Sequence, residues 1–156
     1  MLKINFDGPI FAGDKCSGLG VIIRDKKGFV IASMATRVPQ QLQPVEIEAL
    51  VANKALEFAR EMDIADAVLE GDYLMVMTTL KSKNTGLAPF GLLLQDSLAL
   101  SSGFSKLFYF HTKREDNIVA HNLAQLAINS TNCVIWMENG AFDVLTSYHV
   151  DLADVS

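Results

Sequence analysis

Leu2-Lys3-Ile4-Asn5-Phe6-Asp7 is the stretch on which the fold turns. Leu2, Ile4 and Phe6 alternate with Lys3 and Asn5, the period of two that marks a half-buried strand. The run closes on a carboxylate, Asp7. Residues 18–24 read as a second strand and residues 28–37 as a third. Between them, Asp25-Lys26-Lys27-Gly28 is a polar turn with a glycine free to take positive φ, so the two strands form a hairpin.

Pro39 and Pro44 bracket a loop, and Pro44 suits the first turn of a helix. Residues 44–62 follow helical spacing at Ile47, Val51, Ala55, Phe58 and Met62. Ala52, Ala55 and Ala59 are small enough to let that helix approach a sheet. Glu48 precedes Ala52 by one turn and shares its face. A short buried strand covers residues 66–71 and runs into Asp72. A helix from about Tyr73 to Leu80 follows. After the loop Lys81-Ser82-Lys83-Asn84-Thr85-Gly86, another helix starts at Pro89 and reaches about Ser101. Residues 106–111 form the fifth strand and residues 115–129 the last long helix. In the tail, residues 131–156, we expect Trp136, Met137, Phe142 and Leu145 to pack back on the body. The order β-β-β-α-β-α-α-β-α implies an α/β protein: a mixed sheet with helices on both faces.

Composition bounds what such a fold can be. The 156 residues are one ordinary domain, with a core at about 2–130 and the tail at 131–156. Half the residues are hydrophobic, too many for a disordered chain. No apolar run approaches the ~20 residues of a membrane helix, so no membrane partner is expected. The start, Met-Leu-Lys-Ile, carries no secretory signal and enters a strand at once, as a small complete protein or an excised domain would. Cys16 and Cys133 are too few for a disulfide framework and are expected as free thiols in a reducing compartment. We therefore expect an intracellular monomer, cytoplasmic or nuclear.

Asp7, Glu48 and Asp72 sit where a carboxylate is structurally costly: two strand ends and the small-residue face of a helix. Strand ends and one helix face can converge in space although the residues are far apart in sequence. Two charges about 4 Å apart repel by on the order of 4 kcal/mol at an effective dielectric near 20. A fold keeps such a cluster mainly when a divalent cation binds there, and hard cations such as Mg²⁺ take oxygen ligands. Singly, each residue has an ordinary reading as a turn, a cap or a solvated charge.

Five segments occur together in a fixed order: Ile4-Asn5-Phe6-Asp7-Gly8; Gly18-Leu19-Gly20-Val21-Ile22-Ile23-Arg24-Asp25; Glu46-Ile47-Glu48-Ala49-Leu50 with Ala55-Leu56-Glu57; Leu69-Glu70-Gly71-Asp72; and His111-Thr112-Lys113-Arg114 through Asn117-Ile118-Val119-Ala120-His121-Asn122-Leu123-Ala124. In these the chain resembles the ribonuclease H family, and most closely its plant reverse-transcriptase-like branch. The resemblance implies a five-stranded ribonuclease H-like fold. It also implies a metal-dependent endoribonuclease that cuts the RNA strand of a duplex with two Mg²⁺ or Mn²⁺ ions. Two such ions about 4 Å apart activate a water and stabilise the leaving oxygen. By the same resemblance, Asp7 bridges both metals. Asp72 holds the one on the nucleophile side, and Glu48 holds the other and orients the 2′-hydroxyl.

His121 stands where bacterial relatives carry a fourth carboxylate; plant relatives often carry His. An imidazole ligates divalent ions but suits Mn²⁺ or Zn²⁺ better than hard Mg²⁺, so a relative preference for Mn²⁺ is expected. The alternative is a helix-surface histidine. His111 matches a family histidine that assists proton transfer or product release, and is expected as a general acid; otherwise it is a strand-end residue bonded to backbone. Arg114 and Asn117 are expected to fix the loop and cap the last helix. Glu46 reads as solvated or as a cap. Pro9, Gly71 and Tyr73 depart from the family pattern and reshape the substrate side. Gly18 and Gly20, with no helix after them, are not a dinucleotide motif. They allow close backbone approach, within the sheet or by a nucleic acid.

The net charge of −5 and pI near 5.1 are unusual for a nucleic-acid partner. Bound cations would offset part of that charge. Lys81, Lys83, Lys106, Lys113 and Arg114 are the best phosphate contacts, so modest affinity and a shallow salt dependence are expected. An RNA/DNA hybrid is the leading substrate. The chain has Gln43-Pro44-Val45 where bacterial relatives carry a DNA-contacting Thr-Asn-Asn, and it lacks a basic, Trp-containing protrusion. Double-stranded RNA of viral or retroelement origin is therefore the alternative, since both duplexes offer a wide minor groove lined by 2′-hydroxyls. A second alternative is a catalytically weak binding module derived from a retroelement, which His121, Pro9 and Tyr73 favour.

Overall fold

The computed structural model describes residues 1–86, 89–129 and 133–137. Its elements run β1 (Leu2–Asp7), β2 (Ile10–Phe11), β3 (Cys16–Arg24), β4 (Val30–Val38), α1 (Pro44–Glu61), β5 (Asp66–Gly71), α2 (Leu74–Ser82), α3 (Pro89–Ser101), β6 (Lys106–His111), α4 (Ile118–Leu126) and β7 (Val134–Met137). Among the described residues they form a seven-stranded mixed sheet in the order β6-β5-β1-β3-β4-β7, with β2 paired to β3. β1 is central: antiparallel to β3 and parallel to β5, which is parallel to β6.

The expected β3–β4 hairpin is present. Gly28 has φ +89, and Asp25 Oδ1 accepts from Lys27 N and Phe29 N, each at 2.9 Å. The expectation of five strands is corrected to seven. β2 has two residues and β7 four, too short for periodicity to register. β7 lies in the tail and pairs Val134–Met137 with Ala32–Ala35 of β4. Met137 packs on the core, whereas Trp136 is 42% exposed and does not pack back as expected. Phe142 and Leu145 lie outside the described residues.

α1 starts as its sequence suggests. Pro44 occupies the first turn, and Glu46 Oε1 accepts from Gln43 N at 3.3 Å, so Glu46 is a cap. Its buried face carries Ile47, Val51, Ala52, Ala55, Phe58 and Ala59. They pack with Ile4, Phe6, Ala67 and Leu69 of the sheet in one core. Full burial of each large apolar side chain here contributes about 1.5–3 kcal/mol.

The opposite sheet face presents Lys3, Asn5 and Asp7 of β1 in register with Arg24, Ile22 and Gly20 of β3. α4 crosses this face at Gly18 and Gly20. A Cβ on Gly20 would overlap Ala120 O and lie 2.7 Å from Ala124 N; one on Gly18 would lie 2.7 Å from Ala124 O. These glycines admit a helix backbone. The single helix expected over 115–129 is a 3₁₀ turn at Arg114–Asn117, then α4, then another 3₁₀ turn at Ala127–Asn129. Among the described residues no helix is long and apolar enough to cross a membrane, and Cys16 and Cys133 are buried and unbridged.

Candidate active site

The topology brings three carboxylates to one end of the sheet. Asp7 ends β1, Asp72 follows β5 directly, and Glu48 reaches in from the second turn of α1. One oxygen from each lies within 4.8 Å of the others. Asp7 is 5% exposed and Glu48 6%. Glu48 Oε1 accepts from Gly8 N at 3.3 Å, while Oε2 is buried with no hydrogen-bond partner among the described residues. An unpartnered buried carboxylate oxygen costs about 1–3 kcal/mol or more, so it marks a place for a further ligand.

Electrostatics agree. Burial, then the charges of Asp7 and Asp72, push the Glu48 carboxyl up from 4.5 to about 9, against the opposing pull of Gly8 N–H and Arg114. Burial also raises Asp7, with Asp72 adding to it, and the hydrogen bond from His121 offsets part of the rise. Two buried acids so perturbed beside a third are poised for a cation. An all-oxygen donor set suits Mg²⁺ or Mn²⁺, so the residues present fit such an ion.

His121 and His111 adjoin the cluster in different ways. His121 Nδ1 lies 2.7 Å from Asp7 Oδ2. With Nδ1–H donating to Asp7, Nε2 can accept from Gln125 Nε2 at 3.4 Å. His121 therefore touches the site through Asp7 and is not one of the three groups that converge. The close approach of α4 at Gly18 and Gly20 is what puts it there. His111 Nε2 lies 3.2 Å from Asp72 O, at the exposed end of β6. Lys81, Lys83, Lys106, Lys113 and Arg114 are all exposed. The last two precede α4, Lys81 and Lys83 border β6, and Lys106 is its first residue.

A buried polar network behind Asp7 escaped the sequence reading. Asn117, 1% exposed, donates to Phe6 O at 2.8 Å and accepts from Asn5 Nδ2 at 3.1 Å. Asn5 also donates to Glu70 Oε2 at 3.1 Å and accepts from Arg24 at 3.2 Å. The network ties the start of α4 to the strand that presents Asp7. Asn117, expected to cap the helix, instead spends no side-chain bond on it and holds β1. Asn5 alternated with apolar residues and so read as an exposed position, with no sequence signal for its burial.

The sequence profile of the reverse transcriptase-like family matches residues 5–127. No curated protein is significantly similar in sequence. Among solved structures, RNase H1 from the halophilic archaeon Halobacterium salinarum superposes with a TM-score of 0.75 at 22% identity, over 82% of this chain and 97% of that one. The N-terminal RNase H domain of a Mycobacterium tuberculosis protein gives 0.73 at 21%, over 82% and 93%. LC11-RNase H1, solved in complex with an RNA/DNA hybrid, gives 0.72 at 18%, over 83% and 97%. At these identities the structures establish a shared fold. The family match spans most of the chain and includes all three carboxylates: the chain belongs to the reverse transcriptase-like family of RNase H-like domains.

Proposed function

We propose that this protein is a divalent-metal-dependent endoribonuclease that hydrolyses the RNA strand of an RNA/DNA hybrid. The observation that carries the reading is the convergence of Asp7, Glu48 and Asp72, two of them buried, with Glu48 Oε2 unpartnered. The hybrid is favoured because LC11-RNase H1, a structure of the same fold, is complexed with one.

In this reading Asp7, Glu48 and Asp72 would hold two Mg²⁺ or Mn²⁺ ions. Such ions, when bound, supply an activated water and charge stabilisation at the scissile phosphate. The chain's own residues do the rest. His121 fixes the orientation of the Asp7 carboxylate through the 2.7 Å contact, acting on the site through Asp7. The network of Asn117 and Asn5 holds β1, and with it Asp7, against α4. His111 stands at the open edge beside Asp72 and carries a proton between the leaving group and solvent. Exposed Lys113 and Arg114 contact the substrate backbone.

Strand-specific cleavage tests this. Hybrid, double-stranded RNA, single-stranded RNA and double-stranded DNA, each end-labelled on either strand, are incubated in Mg²⁺ and in Mn²⁺. Cutting confined to the RNA of the hybrid is expected. Faster cutting of double-stranded RNA would replace the substrate. No cutting in either metal would leave a binding module.

A further inference from the structure

Among the described residues β6 is an edge strand of the sheet, and no described element covers its outer face. Register places Phe108 beside Val68 and Lys3, and Phe110 beside Glu70 and Asn5, on the face away from α1, α2 and α3. Phe108 is 50% exposed and Phe110 52%, whereas Tyr109 between them is buried. Two half-exposed phenyl rings on alternate positions of one strand are costly unless something covers them. Their Cα atoms are roughly 6.6 Å apart along the strand, which leaves room for one flat group on each. Lys81 Nζ lies 5.5 Å from the Phe110 ring centroid, and Lys81 and Lys83 line a groove with residues 107–110. Lys106 is exposed at the strand's start. Two acids of β5 share this face: Glu70 is paired with Lys3 at 3.7 Å and Asn5 at 3.1 Å, and Asp66 lies in register beside Lys106, which leaves Lys81 and Lys83 as the cations with no acid in register.

We infer that this edge of β6 is a second nucleic-acid site, binding a single strand whose bases stack on Phe108 and Phe110 while Lys81, Lys83 and Lys106 contact its phosphates. The charges choose the occupant. A second copy pairing edge to edge across a two-fold would set these lysines against themselves, and edge lysines act against such pairing. A polyanion with flat π faces meets both the cations and the rings. β6 ends at His111, whose imidazole touches Asp72 O, so a strand on this platform leads directly to the carboxylate cluster. A single-stranded tail beside a duplex is thereby held as the duplex is cut. This platform rests on the proposed nuclease only for that purpose, not for its binding.

Fluorescence anisotropy of an end-labelled single-stranded RNA of about 12 nucleotides, measured at low salt in EDTA, tests the site without cleavage. The wild type is expected to bind. Phe108→Ala and Phe110→Ala should each weaken binding about tenfold, and Phe110→Tyr, which keeps the π face, should bind as the wild type does. Cutting of a blunt hybrid should be unchanged in all three. Absent wild-type binding, equal binding by the Ala variants or failure of the Tyr variant would overturn the site. So would a dimer in light scattering that the Ala variants dissolve, since the edge would then be a self-pairing surface. A blunt hybrid left uncut by the wild type would refute the nuclease reading and leave this one intact.

Discussion

Glu48→Gln should make the metal-free protein more stable, and only above the ordinary carboxyl range. Glu48 is 6% exposed and its carboxyl is pushed up from 4.5 to about 9. Between those values the folded protein holds a proton that the unfolded chain has released. The native state then binds more protons, so stability falls as pH rises through this window. At pH 7 the gap above the unfolded value, at 1.36 kcal/mol per unit, amounts to about 3 kcal/mol. Glutamine is close in shape to the protonated acid and keeps an oxygen for Gly8 N–H. The substitution should therefore recover up to about 3 kcal/mol at pH 7, or about 6–12 °C in Tm for a chain of this size. Near pH 4.5 it should recover almost nothing. The assay is a set of thermal melts in EDTA at pH 4.5, 7 and 8.5, wild type beside variant. An offset independent of pH, or a variant less stable at pH 7, would refute the electrostatic account of the site.

Other substitutions probe the scaffold around it. His121→Ala should lower activity about 10–100-fold, the usual cost of losing a hydrogen-bond partner of a metal ligand; steady-state cleavage checks it. Gly20→Ala should cost about 1–3 kcal/mol and much of the activity, because the new methyl meets the backbone of α4 at Ala120 and Ala124; chemical denaturation and cleavage should fall together. Asn117→Ala should cost about 1–3 kcal/mol by leaving Phe6 O and Asn5 Nδ2 short of a buried partner, read by the denaturation midpoint.

What the sequence made legible follows from which patterns survive in one dimension. β1, β5 and α1 carry strong periods, and each presents its carboxylate at an end or on a face fixed by that period. These positions allow Asp7, Glu48 and Asp72 to meet, and the resemblance to the ribonuclease H family implied that they do so around metal ions. β2 and β7 have two and four residues, too few for any period. α4 reads as one helix because its apolar spacing runs on through 3₁₀ turns at both ends; the first of these ends at Asn117, whose side chain is held by Phe6 O. Asn5 looked like a solvent-facing strand residue, and only the descent of α4 onto the sheet buries it. The same descent, permitted by Gly18 and Gly20, sets His121 against Asp7, a pairing of residues 114 positions apart that no local pattern encodes.

The most direct test of the account is the rate at which wild type and Asp72→Asn cleave an end-labelled RNA/DNA hybrid in Mn²⁺, with Mn²⁺ binding to both followed by calorimetry. The account predicts RNA-strand cutting by the wild type, and loss of both cutting and the binding isotherm in the variant. Cutting or Mn²⁺ binding that survives the substitution unchanged would contradict it.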